Sequence, residues 1–218
     1  YLNGIFMHTT SSEGNDVMRT VATDGHRLAR VQMPVPQGAA GMPGIIIPRK
    51  TVNELRKLID EITDDIDIAL SETSVRFAFS DAVLTSKLID GTFPDYERVI
   101  PTGNDKSLNV DCRSFAEAVD RVATISNEKS RAVKLAVSGN NLVLTASSPD
   151  NGTAREEISV NYDAAAIEIG FNARYLLDIA QQINSGEAEF IVADAASPTI
   201  VRDSADDSAL YVLMPMRV

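Results

Sequence analysis

"NARYLLDIAQQIN", residues 172–184, puts Leu176, Ile179, Ala180 and Ile183 on one stripe at three- and four-residue spacing, the pattern of a helix with a single apolar face. Asn172 in front of the stripe is a natural N-cap, because its side-chain oxygen accepts a first-turn N–H, and Tyr175 is its neighbour three positions on. Two other segments carry the same spacing. Residues 50–62 align Val52, Leu55, Leu58, Ile59 and Ile62, with Lys50 and Lys57 on another face; residues 114–126 align Phe115, Ala118, Val119, Val122 and Ile125, with Ser114 as the expected cap and Arg121 outside. The predicted helices start near residues 51, 114 and 173, roughly 60 residues apart.

Between them the pattern switches to short alternating runs. "IDIAL" (66–70), "VRFAF" (75–79), "VLTSKLI" (83–89), "VKLAV" (133–137), "LVLTA" (142–146), "REEISVNY" (155–162), "EFIVA" (189–193), "TIVRD" (199–203) and "LYVLM" (210–214) read as strands. One helix followed by a small antiparallel sheet, repeated, predicts an α+β fold built from recurring units. The Gly-, Pro- and Asp-rich stretch "DGTFPDYERVIPTGND" (90–105) marks a boundary, giving a first domain at 1–96, a linker at 97–102 and a second domain at 103–218. The second holds two repeats; the first holds one and the tail of another. Together with Tyr1 opening inside the apolar "YLNGIFM", this predicts a fragment lacking an N-terminal part.

An apolar share of 44% over 218 residues is enough for one or two real cores. No run reaches the roughly 18–20 apolar residues that a membrane-spanning helix needs, and no basic-then-apolar leader is present. Cys112 stands alone, which excludes an internal disulfide and fits a reducing cytoplasm. The net charge of −11 argues by itself against nucleic acid. Yet charge is sorted by element: "RKTVNELRK" (49–57) carries four basic side chains against Glu54, while residues 163–207 carry nine acidic ones against Arg174 and Arg202. Such basic helix faces are either ordinary solvated surface or, repeated from unit to unit, one positive surface.

"TVATDGHRLA" (20–29) gathers Asp24, His26 and Arg27 in a way that invites a catalytic reading. Asp-Gly is a strong turn signal, so Asp24 reads as a turn former, and His26 and Arg27 then fall on opposite sides of a strand. There is no Gly-x-Ser-x-Gly elbow, phosphate loop or dinucleotide fingerprint, and neither His8 nor Cys112 has companions at ligand spacing. No catalytic residue, metal or cofactor is predicted. At the other end, "ALYVLMPMRV" reads as a last core strand through Leu210, Val212 and Met214; Pro215 then takes Met216 and Arg217 out of the sheet, where two methionines suit adaptable binding of an apolar partner.

Taken together, "YLNG" (1–4), "RTVATDGHRLA" (19–29), "IPRK" (47–50), "TSKLIDGTFPDYERVIP" (85–101), "ISNEK" (125–129), "IEIGFN" (167–172) and "YVLMPMR" (211–217) resemble the bacterial DNA polymerase III beta subunits, the sliding clamps. The resemblance implies the DNA-clamp fold, with sheets outside and helices lining a DNA channel, and most of the middle domain and all of the C-terminal domain of a three-domain chain. It implies a non-catalytic, cytoplasmic processivity factor that is a head-to-tail homodimeric ring at full length. The implied partners are duplex DNA bound without regard to sequence, the DNA polymerase III alpha subunit, the clamp loader, and other polymerases and repair proteins that carry linear peptide motifs.

For the turn at 24–27 the resemblance implies recognition. In clamps it forms part of a hydrophobic peptide pocket between the second and third domains, which carries over to Leu2, Thr23, Gly25, His26, Arg27, Leu28, Pro94, Arg98, Val99, Val212, Met214, Pro215, Met216 and Arg217. DNA contacts carry over to Tyr1, Lys50, Asn172 and Tyr175, with neighbouring Arg49 added for its charge. The chain departs from the clamps in a longer loop at 8–17, in Ser130 where some relatives have an aromatic, and in Pro198 at the pocket edge. The rival readings fare worse: an esterase-like enzyme lacks its triad, and a β-rich scaffold leaves the basic helices and the Met-Pro-Met terminus without a purpose.

Overall fold

The computed structural model describes residues 1–79, 81–126 and 129–218, so Asn127 and Glu128 of "ISNEK" lie outside the described residues. The chain divides into two units: Tyr1–Asp24 with Arg30–Tyr96, and Gly25–Ala29 with Glu97–Val218.

In the first unit β1 (Gly4–Ser12) and β2 (Asn15–Thr23) pair antiparallel from Phe6 opposite Val21 to Ser12 opposite Asn15. Glu13 and Gly14 both have positive φ, 51° and 81°, which is what a two-residue hairpin turn demands. The segment 8–17, expected as a loop, is therefore the tip of a hairpin. Its polar sequence hid β1, whose side chains from Ile5 onward are at best half-buried, so no apolar alternation marks it; the run 17–23, read as strand-like before the Asp24–Gly25 turn, is the inner part of β2. With β3 (Arg27–Pro34) and β4 (Ile45–Pro48) the order is β4-β1-β2-β3. The helix α1 (Arg49–Ile59) and a three-stranded sheet of β5 (Asp67–Leu70), β6 (Ser74–Ala78) and β7 (Val83–Lys87) follow.

Ile45, Ile47, Val75, Phe77 and Phe79 form this unit's core, and Val52, Leu55, Ile59 and Ile62 pack against it. Leu58 does not; it is 41% exposed, so the stripe is one residue narrower than expected. A second cluster holds the end of the unit in place. Phe93 stacks on Phe6 and Phe6 on His8, at 4.9 and 4.6 Å, and His8 Nε2 lies 2.9 Å from the Tyr96 hydroxyl. Arg19, opposite His8 on the hairpin, donates to the same hydroxyl at 3.3 Å and to Gln32 Oε1 at 3.0 Å. His8 thus belongs to a packed polar network.

The second unit repeats a strand, a helix and three strands twice. The first pass is β8 (Lys106–Asp111), α2 (Cys112–Ala123), β9 (Ala132–Ser138), β10 (Asn141–Ser148) and β11 (Gly152–Ser159). The second is β12 (Ile167–Asn172), α3 (Ala173–Ala180), β13 (Glu187–Val192), β14 (Thr199–Asp203) and β15 (Asp206–Leu213). Strands cross between passes, giving sheets ordered β15-β14-β13-β8 and β11-β10-β9-β12. One core joins them: Phe115, Ala118, Val119 and Val122 of α2 and Leu176 and Ile179 of α3 are buried with Leu135, Leu144, Phe190 and Leu213.

Asn172 caps α3 as read, accepting from the Arg174 N–H at 2.9 Å. For α2 the cap is Asp111, which accepts from the Ser114 N–H at 2.8 Å, so Ser114 sits inside the first turn. Among the described residues no helix is long and apolar enough to cross a membrane.

Candidate peptide- and DNA-contacting residues

The second unit's segment Gly25–Ala29 begins with Gly25 at φ +88°, a left-handed turn position. His26 is exposed, Arg27 half-buried and Leu28 only 4% exposed, so the chain passes from surface to core within three residues. The Met214 N–H donates to the His26 carbonyl at 2.9 Å, tying this segment to the end of β15. There Val212 and Leu213 are both buried, 2% and 1% exposed, while Leu210 and Met214 are only half-buried. Leu28 and Val212 are thus already buried, while Met214, Pro215 and Met216 each keep part of their surface open.

β15 ends at Leu213, so Met214, read from the sequence as part of the last strand, already lies beyond it, and Met216, expected outside the sheets, does not leave the fold. Its N–H donates to the Gly170 carbonyl of β12 at 2.7 Å in an isolated antiparallel bridge. A Cβ at Gly170 would lie 2.6 Å from the Met216 oxygen, so the glycine inside "IEIGFN" is what admits the terminus. Arg217, Arg98 and Val99 are exposed. In the first unit Leu2 is 40% exposed, Pro94 is exposed beside buried Phe93, and Thr23 is half-buried.

Arg27 Nη1 donates to Asp178 Oδ2 at 2.6 Å, and its guanidinium carbon lies 4.2 Å from the Tyr175 ring centroid. The resemblance assigns Arg27 to peptide and Tyr175 to DNA, and the fold brings the two side chains together. Asp178 was missed from sequence: 151 residues separate it from Arg27, and only its place three residues beyond Tyr175 hints at a shared helix face.

The DNA-assigned residues of the first unit are exposed Tyr1, Arg49 and Lys50. The latter two open α1, where the first-turn Arg49 N–H donates to the Asn3 carbonyl at 2.9 Å. An open depression of about 650 Å³ along this helix carries Arg49, Lys50, Arg56 and Lys57 against Glu54 and Asp60. Lys57 pairs with Glu54 at 3.0 Å; among the described residues no carboxylate pairs with Arg49, Lys50 or Arg56. On α2 the cations are matched, Arg113 by Glu117 at 3.0 Å and Arg121 by Glu156, each partner holding the arginine's pKa above its usual value.

Cys112 is 6% exposed and its thiol faces the Ala180 carbonyl at 3.4 Å; burial, with Asp111 and Asp203 nearby, pushes its pKa up, which keeps it a thiol. Among the described residues no group of three or more His, Cys, Asp or Glu is placed to hold a metal ion.

Comparison with known proteins covers both units. The family described as the DNA polymerase III beta subunit, central domain, matches residues 1–95, and that described as its C-terminal domain matches residues 97–217. Over 218 residues the chain is 55% identical to a beta sliding clamp of Caulobacter vibrioides and 41% identical to that of Escherichia coli K12, covering all of this chain and 59% and 58% of those proteins. Among solved structures, a sliding clamp from Bartonella birtlesii bound to griselimycin superposes with a TM-score of 0.96 at 53% identity, covering 100% of this chain and 59% of that one. Pol III beta of Caulobacter crescentus gives 0.94 at 53% identity, with 100% and 58% covered. The chain spans a little under three fifths of the length of these relatives.

Proposed function

The chain belongs to the DNA polymerase III beta-subunit family, and from that premise we propose that it works as part of a DNA sliding clamp, a non-catalytic processivity factor in replication. Residues 1–96 serve as the middle domain and 103–218 as the C-terminal domain, joined by 97–102. At full length the protein is a head-to-tail homodimeric ring in the cytoplasm, needing no cofactor.

The observation that carries the peptide-binding role is the state of the C-terminal segment. Met214, Pro215 and Met216 are held half-buried by hydrogen bonds to His26 and Gly170 instead of entering the core, which leaves a fixed apolar ridge beside exposed His26 and Arg217. Apolar walls rimmed by a few polar donors are how small-ligand and peptide sites are built. Leu2, Thr23, Gly25, Arg27, Leu28, Pro94, Arg98, Val99 and Val212 are proposed as the remaining peptide contacts. The occupants are linear motifs of the polymerase III alpha subunit, the clamp loader and other polymerases and repair proteins. Tyr1, Arg49, Lys50, Asn172 and Tyr175 are proposed to touch DNA phosphates and sugars, which positions the protein without reading sequence.

Calorimetric titration with a peptide bearing glutamine followed by leucine and phenylalanine tests the reading. Binding is expected, weakened about 5–30-fold by Met216→Ala, the usual range for truncating one buried anchor. Griselimycin, which a Bartonella birtlesii relative binds, is expected to compete with the peptide. A folded chain that binds no such peptide overturns the proposal.

A further inference from the structure

Tyr175 and Asp178 stand three residues apart on α3, so their side chains share a face, and both meet Arg27. The Asp178 carboxylate takes the edge of the guanidinium at 2.6 Å and the Tyr175 ring takes its face at 4.2 Å. An edge contact fixes the direction of a planar cation and a face contact fixes its tilt; together they remove the rotamer freedom that makes a loose arginine costly to order. Arg27 sits between exposed His26 and buried Leu28, next to the hydrogen bond that ties His26 to Met214. Arg27 and Asp178 side chains are 32% and 43% exposed, and ion pairs that wet contribute little to folding. The consequence of the pair lies in where it holds Arg27.

We propose that Asp178 is a positioning residue for peptide recognition: it sets the Arg27 guanidinium in place before a ligand arrives and offsets its charge, so that the site prefers a neutral apolar peptide to an acidic one. The inference rests on the peptide-binding role proposed above. Asp178 itself need not touch the ligand.

A double-mutant cycle read by calorimetry on the 218-residue chain tests it, using a neutral Gln-Leu-Phe peptide and a version with glutamate flanking the motif. Asp178→Ala is expected to weaken the neutral peptide about 3–10-fold, to have no further effect in an Arg27→Ala background, and to be rescued by Asp178→Glu. The near-isosteric Asp178→Asn, which removes the Asp178 charge from beside Arg27, is expected to narrow the preference for the neutral peptide over the acidic one. Thermal melting shows which variants are folded, and Asp178→Asn carries the test if the alanine variant is not. Two results would sink the inference alone while the parent still binds: folded Asp178 variants that match the parent on both peptides, or a loss of equal size with Arg27 already removed. A parent chain that binds neither peptide overturns the proposed function and this inference together.

Discussion

Asp203 shows how much one side chain can organise at the residue scale. It is 7% exposed at the end of β14, with Oδ2 accepting from the Asn184 and Ser185 N–H groups at 2.9 and 3.0 Å and Oδ1 from the Ala205 N–H at 2.9 Å. Hydrogen bonding from Ser185, helped by the other two amides and opposed by burial, lowers its pKa to about 2. A carboxylate whose folded pKa lies below the unfolded value stabilises the fold above about pH 4 and loses that stabilisation as pH falls towards 2. Asp203→Asn is therefore expected to cost up to about 2 kcal/mol at pH 7 and to flatten the stability curve between pH 4 and 2. Urea melts at a series of pH values check this; parallel curves for parent and variant refute it. The α2 cap gives a second, sharper contrast. Asp111→Ala should cost about 1 kcal/mol, since it strands the Ser114 N–H, whereas Ser114→Ala should cost far less. Equal losses in the two variants would count against Asp111 as the cap.

At the scale of the element, the bridge between Met216 and Gly170 is one of the two backbone contacts that hold the terminal ridge, beside the Met214–His26 bond. In Gly170→Ala the new Cβ would meet both the Met216 oxygen and a Val218 methyl at 2.6 Å, so the terminus has to move away from β12. The expected cost is about 1–3 kcal/mol, with peptide affinity falling further than stability explains. A variant that binds peptide as the parent does would show the ridge survives without the bridge. The same elements show what sequence reading could reach. Helix faces were legible because Phe115, Ala118, Val119 and Val122 keep a 3.6-residue period against one core. The helix-and-sheet repeat was legible for the same reason. The β1 side of the hairpin was not, since a strand whose side chains are at best half-buried carries no alternation, and β4 was not, since Ile45, Ile46 and Ile47 are buried in a row. Of the candidate site, the Asp-Gly turn could be read from local chemistry, whereas the strand end at Leu213 and the return of Met216 to β12 could not. The Gly170 bridge and the Arg27–Asp178 pair join residues far apart in sequence, and no local pattern announces them.

For the molecule as a whole, a net charge of −11 has to be squared with the proposed role on DNA. The answer lies in how cations are placed. Those on α2 are matched by carboxylates, whereas Arg49 and Lys50 stand exposed at the start of α1, whose first turn holds no acidic residue. That is the positive end of the helix dipole, so both charges sit where they weaken the helix. Replacing them should therefore move stability and DNA binding in opposite directions. Arg49→Glu with Lys50→Glu is expected to raise stability by about 0.3–1 kcal/mol, because acidic residues suit a helix start. The same double variant should bind duplex DNA more weakly by a similar factor for every sequence. Its log-affinity against log-salt slope should shrink by about 0.9 for each phosphate the protein no longer neutralises. Denaturant melts and fluorescence titrations at several salt concentrations measure both quantities on the same samples. If stability rises and DNA affinity stays at the parent's value, α1 is a solvated face and the DNA surface lies elsewhere. If affinity falls for one sequence and not another, the side chains at the start of α1 read bases, which is foreign to the proposed sliding role.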